Sequence, residues 1–149
     1  MNLIPLDKLL EEWEKDSVID RINPGEELIR VPVLHSKYIS QLTSHSVALK
    51  MKKLKFDELK KVKYEYYSGK LNDPTFLKSA GWSPFPYLLM KNDIPVYMEA
   101  DADLIALKKG MVNNEEAINL CTHICKELNS RTYQLKEYLT WERFKRGQT

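Results

Sequence analysis

From Val33 to Tyr67 the chain carries neither glycine nor proline. Within that stretch Leu34, Tyr38, Leu42, His45, Leu49, Lys52, Phe56, Leu59, Lys63 and Tyr66 recur at alternating spacings of three and four. This is close to a heptad seam, carried mainly by Leu42, Leu49, Phe56 and Leu59, with lysines intruding at two positions. About 35 residues at 1.5 Å each make a helix on the order of 50 Å long. A helix longer than about 25 residues leans on a partner helix, in the same chain or in another. Pro32 suits its first turn. Ser68-Gly69 ends it, with Gly69 fitting the left-handed position after the last turn. The expectation is a long basic helix over 33–69.

A partner follows later in the chain. After Gly110, "NNEE" (Asn113 to Glu116) offers a capping asparagine with a glutamate three positions on. Ile118, Cys121, Ile124, Cys125, Leu128, Leu135 and Leu139 then form an apolar stripe, followed by Trp141 and Phe144. The segment closes on "WERFKRG", with cations near a helix C-terminus and then glycine. A second long helix is expected over 113–146.

The remaining segments are shorter. Leu6, Leu9, Leu10 and Trp13 predict an amphipathic helix over 6–15, with Asp7, Glu11, Glu12, Glu14 and Asp16 on an exposed acidic face. "NPGEE" (Asn23 to Glu27) is turn chemistry that separates it from the long helix. Residues 70–100 hold Pro74, Pro84, Pro86, Pro95 and Gly81 among Trp82, Phe85 and Tyr87, which precludes a long helix. An irregular segment packed by its own aromatics is expected there, with "IPVYM" extended. "ADADL" (Ala100 to Leu104) lacks the glycine and terminal glutamate of a calcium loop and reads as a helix start capped by an aspartate. The fold class is all-α: two long helices plus shorter ones in a single domain over 1–149.

Composition narrows the function. Charged residues make up 30% of the 149, yet the net charge is only +2, so binding to a polyanion has to rest on local clustering. No apolar run approaches the roughly 18 residues needed to span a membrane. The N-terminus has no basic start, apolar stretch or small-residue cleavage site of a signal peptide, and a cytoplasmic location is expected. Cys121 and Cys125 flank His123 in "CTHIC", but no second cysteine pair exists and His35 and His45 are distant, so buried thiols on one helix face are expected. There is no glycine-rich phosphate loop, nucleophile elbow or zinc-ligand spacing. His35 and His45 read as helix-surface or interface residues. We expect neither an enzyme nor a cofactor.

The charge is concentrated in one place. Lys50, Lys52, Lys53, Lys55, Lys60, Lys61 and Lys63 face only Asp57 and Glu58 between positions 50 and 63, and the block ends in Tyr64, Tyr66 and Tyr67. A solvated helix face accounts for such a block as well. Lysines interleaved with tyrosines also suit a single nucleic-acid strand, whose unpaired bases stack on rings while ammonium groups follow the phosphates.

The string "LHSKYISQLTSHSVALKMKKLKFDELKKVKYEYYSG" from Leu34 resembles the UvsY family, the recombination mediators of T-even-type phages, in its "L-x-S-K" opening, gapless basic run and "YYSG" close. "ADADL" and the tail "INLCTHICKELNSRTYQLKEYLTWERFKRG" are similar to the family's C-terminal half, including Cys121 and Ser130-Arg131. The similarity runs from Leu9 onward and is loosest at 70–98.

The resemblance implies a single-stranded-DNA-binding protein that assembles into a ring of about six or seven subunits. Such a protein helps load a UvsX-type recombinase onto strands coated by the phage single-strand-binding protein, in the cytoplasm of the infected bacterial host. The family's basic pair maps onto Lys61 and Lys63, where lysine at 63 replaces an arginine and loses its planar fork. The DNA-binding residues expected are Lys53, Lys60, Lys61 and Lys63, with Tyr66 and Tyr67 either stacking on bases or packing the helix end. Assembly is expected through Ile124, Leu128, Leu135 and Leu139. The rival reading is a structural helical adaptor that binds protein through its heptad-like seams.

Overall fold

Five helices follow one another in the computed structural model, which describes residues 2–147: α1 (Leu6–Asp16), α2 (Pro24–Tyr67), α3 (Pro74–Ala80), α4 (Ile94–Glu99) and α5 (Ala102–Lys145). No strand occurs among the described residues, so the fold is all-α as expected. None of the described helices is long and apolar enough to cross a membrane.

Both long helices start earlier than the sequence predicts. Pro24 takes the first position of α2, where a missing N–H breaks no helical bond, and Glu26 and Glu27 occupy the first turn at the positive end of the helix dipole. "NPGEE" is thus the start of the long helix, and Pro32 lies inside it at an exposed position.

The second long helix starts at Ala102 and not near Asn113. Asp101 caps it: Oδ1 accepts hydrogen bonds from the amides of Asp103 and Leu104, both at 3.0 Å. Gly110 is therefore a helix-interior residue. Its carbonyl accepts a hydrogen bond from Lys52 Nζ at 3.3 Å, and a Cβ at 110 would stand 3.1 Å from that nitrogen. The glycine makes room for a lysine that intrudes on the seam. "NNEE" consequently lies within α5, and Asn114 is buried.

The 70–100 segment carries two short helices. Asp73 accepts a hydrogen bond from the Thr75 amide, Pro74 opens α3, and Gly81 closes it at φ 75°. "IPVYM" is helical (α4) and not extended, because Pro95 sits in its first turn, where a proline is tolerated.

The chain divides into two compact units, one formed by residues up to Ala48 with those from Asn113 on, the other by Leu49–Val112. In the first, Leu9, Tyr38, Cys121, Ile124 and Leu128 are fully buried. Burying each such leucine contributes roughly 1.5–3 kcal/mol. Cys121 and Cys125 are free buried thiols, and burial pushes Cys121 up to about 11.

Two polar anchors tie this unit together. Asp16, expected on an exposed acidic face, binds Arg30 at 3.3 Å, Lys37 at 2.8 Å and the Tyr38 hydroxyl at 2.8 Å. Burial opposes its charge, but the bonds from Lys37 and Tyr38 outweigh it and hold the carboxyl below its usual value. Arg131 donates to the carbonyls of Asp16 and Ser17. His45 is a buried linker, not a surface residue: Nδ1 lies 2.9 Å from Asn114 Nδ2, and Nε2 lies 2.8 Å from the Ile4 carbonyl.

The Leu49–Val112 unit has a smaller core of Ile94, Met98 and Leu104, against which Phe56, Leu59, Tyr67 and Leu89 pack.

Candidate nucleic-acid interface

Two faces of α2 carry the lysine block within the Leu49–Val112 unit. On a helix each residue advances about 100°, so residues four apart share a face and residues two apart point about 200° away from each other. Asp57, Lys60, Lys61 and Tyr64 therefore point to one side, Leu59, Lys63 and Tyr66 to another, and Phe56 and Tyr67 lie between them, packed against the unit's core.

The first face lines an open groove of about 770 Å³. Lys60, Lys61, Lys70 and Lys108 stand around it, all at exposed positions. Its floor is apolar, made by Phe56, Tyr64, Pro95, Met98 and Leu104. Lys108 Nζ lies 5.5 Å from the centroid of the Phe56 ring. Three carboxylates, Asp57, Glu65 and Glu99, also line the groove.

The second face is closed. Lys63, expected to hold phosphate beside Lys61, is enclosed, with its side chain only 5% exposed. Its ammonium lies 2.9 Å from both Asp101 Oδ2 and Asp103 Oδ2, and 3.8 Å from the centroid of the Trp82 ring. Trp82 Nε1 donates to Asp103 at 3.1 Å, and the Tyr67 hydroxyl donates to Asp101 at 2.6 Å. Burial works against the Asp101 charge, yet hydrogen bonds from Tyr67, the Leu104 amide and Lys63 prevail and keep its carboxyl below the usual range. Burial, reinforced by the Asp101 carboxylate, pushes the Tyr67 hydroxyl well up.

Tyr66 and Tyr67 both pack the helix end. Tyr67 meets Phe85 edge to face at 5.0 Å, and Tyr66 lies 5.4 Å from Trp82 and 5.6 Å from Phe85. The Tyr66 hydroxyl donates to the Ser83 carbonyl. Of the two fates expected for these rings, stacking on bases or packing the helix end, the structure shows packing against the chain's own aromatics. Lys53 is exposed and is not among the residues lining the groove.

Of the predicted DNA-binding residues, the structure brings Lys60 and Lys61 together in one groove and withdraws Lys63, Tyr66 and Tyr67 from it. Tyr64, one of the three tyrosines that end the lysine block, joins Lys60 and Lys61 there, as do Phe56, Lys70 and Lys108, which were not expected at the site. The four-residue spacing from Phe56 through Lys60 to Tyr64 is a sequence signal that could have found Phe56. Lys70 and Lys108 approach only through the fold.

The residues expected to serve assembly lie largely inside the first unit. Ile124, Leu128 and Leu135 are almost wholly buried in the first unit's own core, and Leu139 is half-buried. Ile124, Leu128 and Leu135 share a core cluster with Leu9, Leu34 and Tyr38. Beyond them Trp141 and Phe144 stack on each other at 5.8 Å and remain exposed.

Fold and groove together define an all-helical protein with one basic, aromatic-floored face. The family model described as "Recombination, repair and ssDNA binding protein UvsY" matches residues 12–148, and the chain belongs to that family. Three crystal structures of the bacteriophage T4 recombination mediator protein UvsY share the fold. In lattice type IV the TM-score is 0.80 at 18% identity, covering 95% of this chain and 99% of that one. Lattice type II gives 0.71 at 22%, covering 95% and 98%. Lattice type I gives 0.68 at 20%, covering 93% and 98%. At these identities the structures speak for the fold alone. No curated protein matches the chain in sequence.

Proposed function

We propose that this chain is a non-enzymatic mediator that binds single-stranded DNA through the lysines of the groove and helps load a UvsX-type recombinase onto strands coated by a phage single-strand-binding protein, inside the infected bacterial cell. The observation that carries this reading is the placement of Lys60, Lys61, Lys70 and Lys108 around one apolar-floored groove. In a chain of net charge +2, these four lysines stand where a polyanion can reach them. Lys53 lies outside the groove and extends the same positive surface along the strand.

Assembly supplies the rest. A ring repeats a modest basic site along one strand, so avidity replaces a strong single site. Subunit contacts fall to the end of α5, where Leu139, Trp141 and Phe144 remain available. Ile124, Leu128 and Leu135 support that end from within the chain's own core.

The test has two parts. Sedimentation with a series of unstructured oligonucleotides reports assembly and binding, and affinity should climb with length until several protomers are engaged. A DNA-dependent recombinase assay on protein-coated strands should show shortened lag when the chain is added. A monomer whose affinity ignores length, with no effect on recombinase loading, would contradict the proposal and favour the helical adaptor.

A further inference from the structure

Resting on the DNA-binding reading, we infer that the groove in the Leu49–Val112 unit is a nucleobase site. One unpaired base is seated on the floor of Phe56, Tyr64, Met98 and Leu104 while the adjoining phosphates are held by the lysines. The groove's rim and its floor differ in kind. If the lysines served phosphates alone, an exposed polar helix face would suffice. Instead they surround a cavity of about 770 Å³, within the roughly 300–1,000 Å³ typical of sites for small organic groups. Met98 and Leu104 in its lining belong to the unit's buried core. Tyr64 is 38% exposed, and it takes no part in the ring contacts that tie up Tyr66 and Tyr67.

Charge decides what can enter. Four lysines share the groove with Asp57, Glu65 and Glu99. A phosphate within it meets carboxylate repulsion, as does an acidic peptide along its whole length. A neutral base does not, and an N–H of its Watson–Crick edge, such as N3–H of thymine, can donate to a carboxylate. Lys108 over Phe56 shows that this ring already accepts a cation on its face. Bases in a duplex are stacked and paired, so the site selects unpaired strands.

The experiment compares a deoxythymidine oligonucleotide with one of equal length in which every nucleotide is abasic, so that the phosphates are kept and the bases removed. The expected result is a loss of roughly tenfold or more for the abasic strand, in line with base–aromatic stacking, with the same slope of affinity against salt. Tyr64→Ala, confirmed as folded by circular dichroism, should lower affinity for the thymidine strand and shrink the gap between the two. Equal affinities with a steep salt slope would overturn the base site and leave phosphate binding standing. Equal affinities together with tight binding of an acidic, phenylalanine-bearing peptide would give the groove to a protein partner, and overturn it as well. Failure of both strands to bind at low salt would overturn the DNA-binding reading itself.

Discussion

The two units treat their cations differently. In the first, Arg30, Lys37 and Arg131 all turn toward the C-terminal end of α1, bound to Asp16 or to nearby carbonyls. In the second, Lys63 is turned inward onto Asp101 and Asp103, while Lys60 and Lys61 line an open groove. In the first unit positive charge anchors a third helix. In the second the charge is divided between one lysine that fixes the aromatic segment and several that stay accessible. A lysine's neighbours in space, more than its place in a basic run, decide whether it serves structure or ligand.

Removing the inward lysine should have the largest effect. Lys63→Met keeps most of the volume but leaves Asp101 charged and buried, which costs about 3–5 kcal/mol. Denaturant unfolding would measure it, and a cost near zero would mean that Lys63 is as dispensable as an exposed lysine. Next comes the first unit's core: Leu128→Ala should cost about 2–5 kcal/mol through reduced burial and the cavity left behind. If Leu128 instead served mainly subunit contacts, the oligomer would fall apart while the protomer kept its stability.

Acid should weaken both units. Asp16 and Asp101 are held below their usual value of 3.8, so the unfolded chain takes up protons at a higher pH than the folded one. Their contribution is complete above about pH 5 and is lost as the pH falls through the lowered folded values. Denaturant midpoints at pH 6, 4 and 3 should drop mainly between the last two. Smallest in stability is the change at the exposed end of α5. Trp141→Ser with Phe144→Ser should shift folding by no more than about 0.5 kcal/mol yet reduce the sedimenting species to a smaller one. Unchanged assembly would move the subunit interface elsewhere.

Much of the fold was legible in the sequence. The run without glycine or proline requires a long helix, and the stripe from Ile118 to Leu139 requires its partner. The starts were misplaced because local signals compete. Pro32 and Pro24 both suit a first turn, and only Glu26 and Glu27 favour the earlier one. Gly110 resembles a breaker unless Lys52 is known to approach it. The site was half legible. Lys61 and Lys63 read as a pair along the chain, but two residues on a helix point about 200° apart. That Lys63 meets Trp82, Asp101 and Asp103 depends on how residues 70–100 fold back, which no periodicity encodes. The apolar stripe could be read as core or as interface, since both bury the same residues.

The division of labour within the lysine block is the central claim, and the salt dependence of single-strand affinity tests it most directly. For Lys60→Ala with Lys61→Ala, the slope of log affinity against log salt should flatten by roughly 0.7 for each phosphate no longer neutralised, with stability and assembly unchanged. An unaltered slope in a folded, assembled double variant would contradict the account, because the groove lysines would then not be the ones that hold the strand.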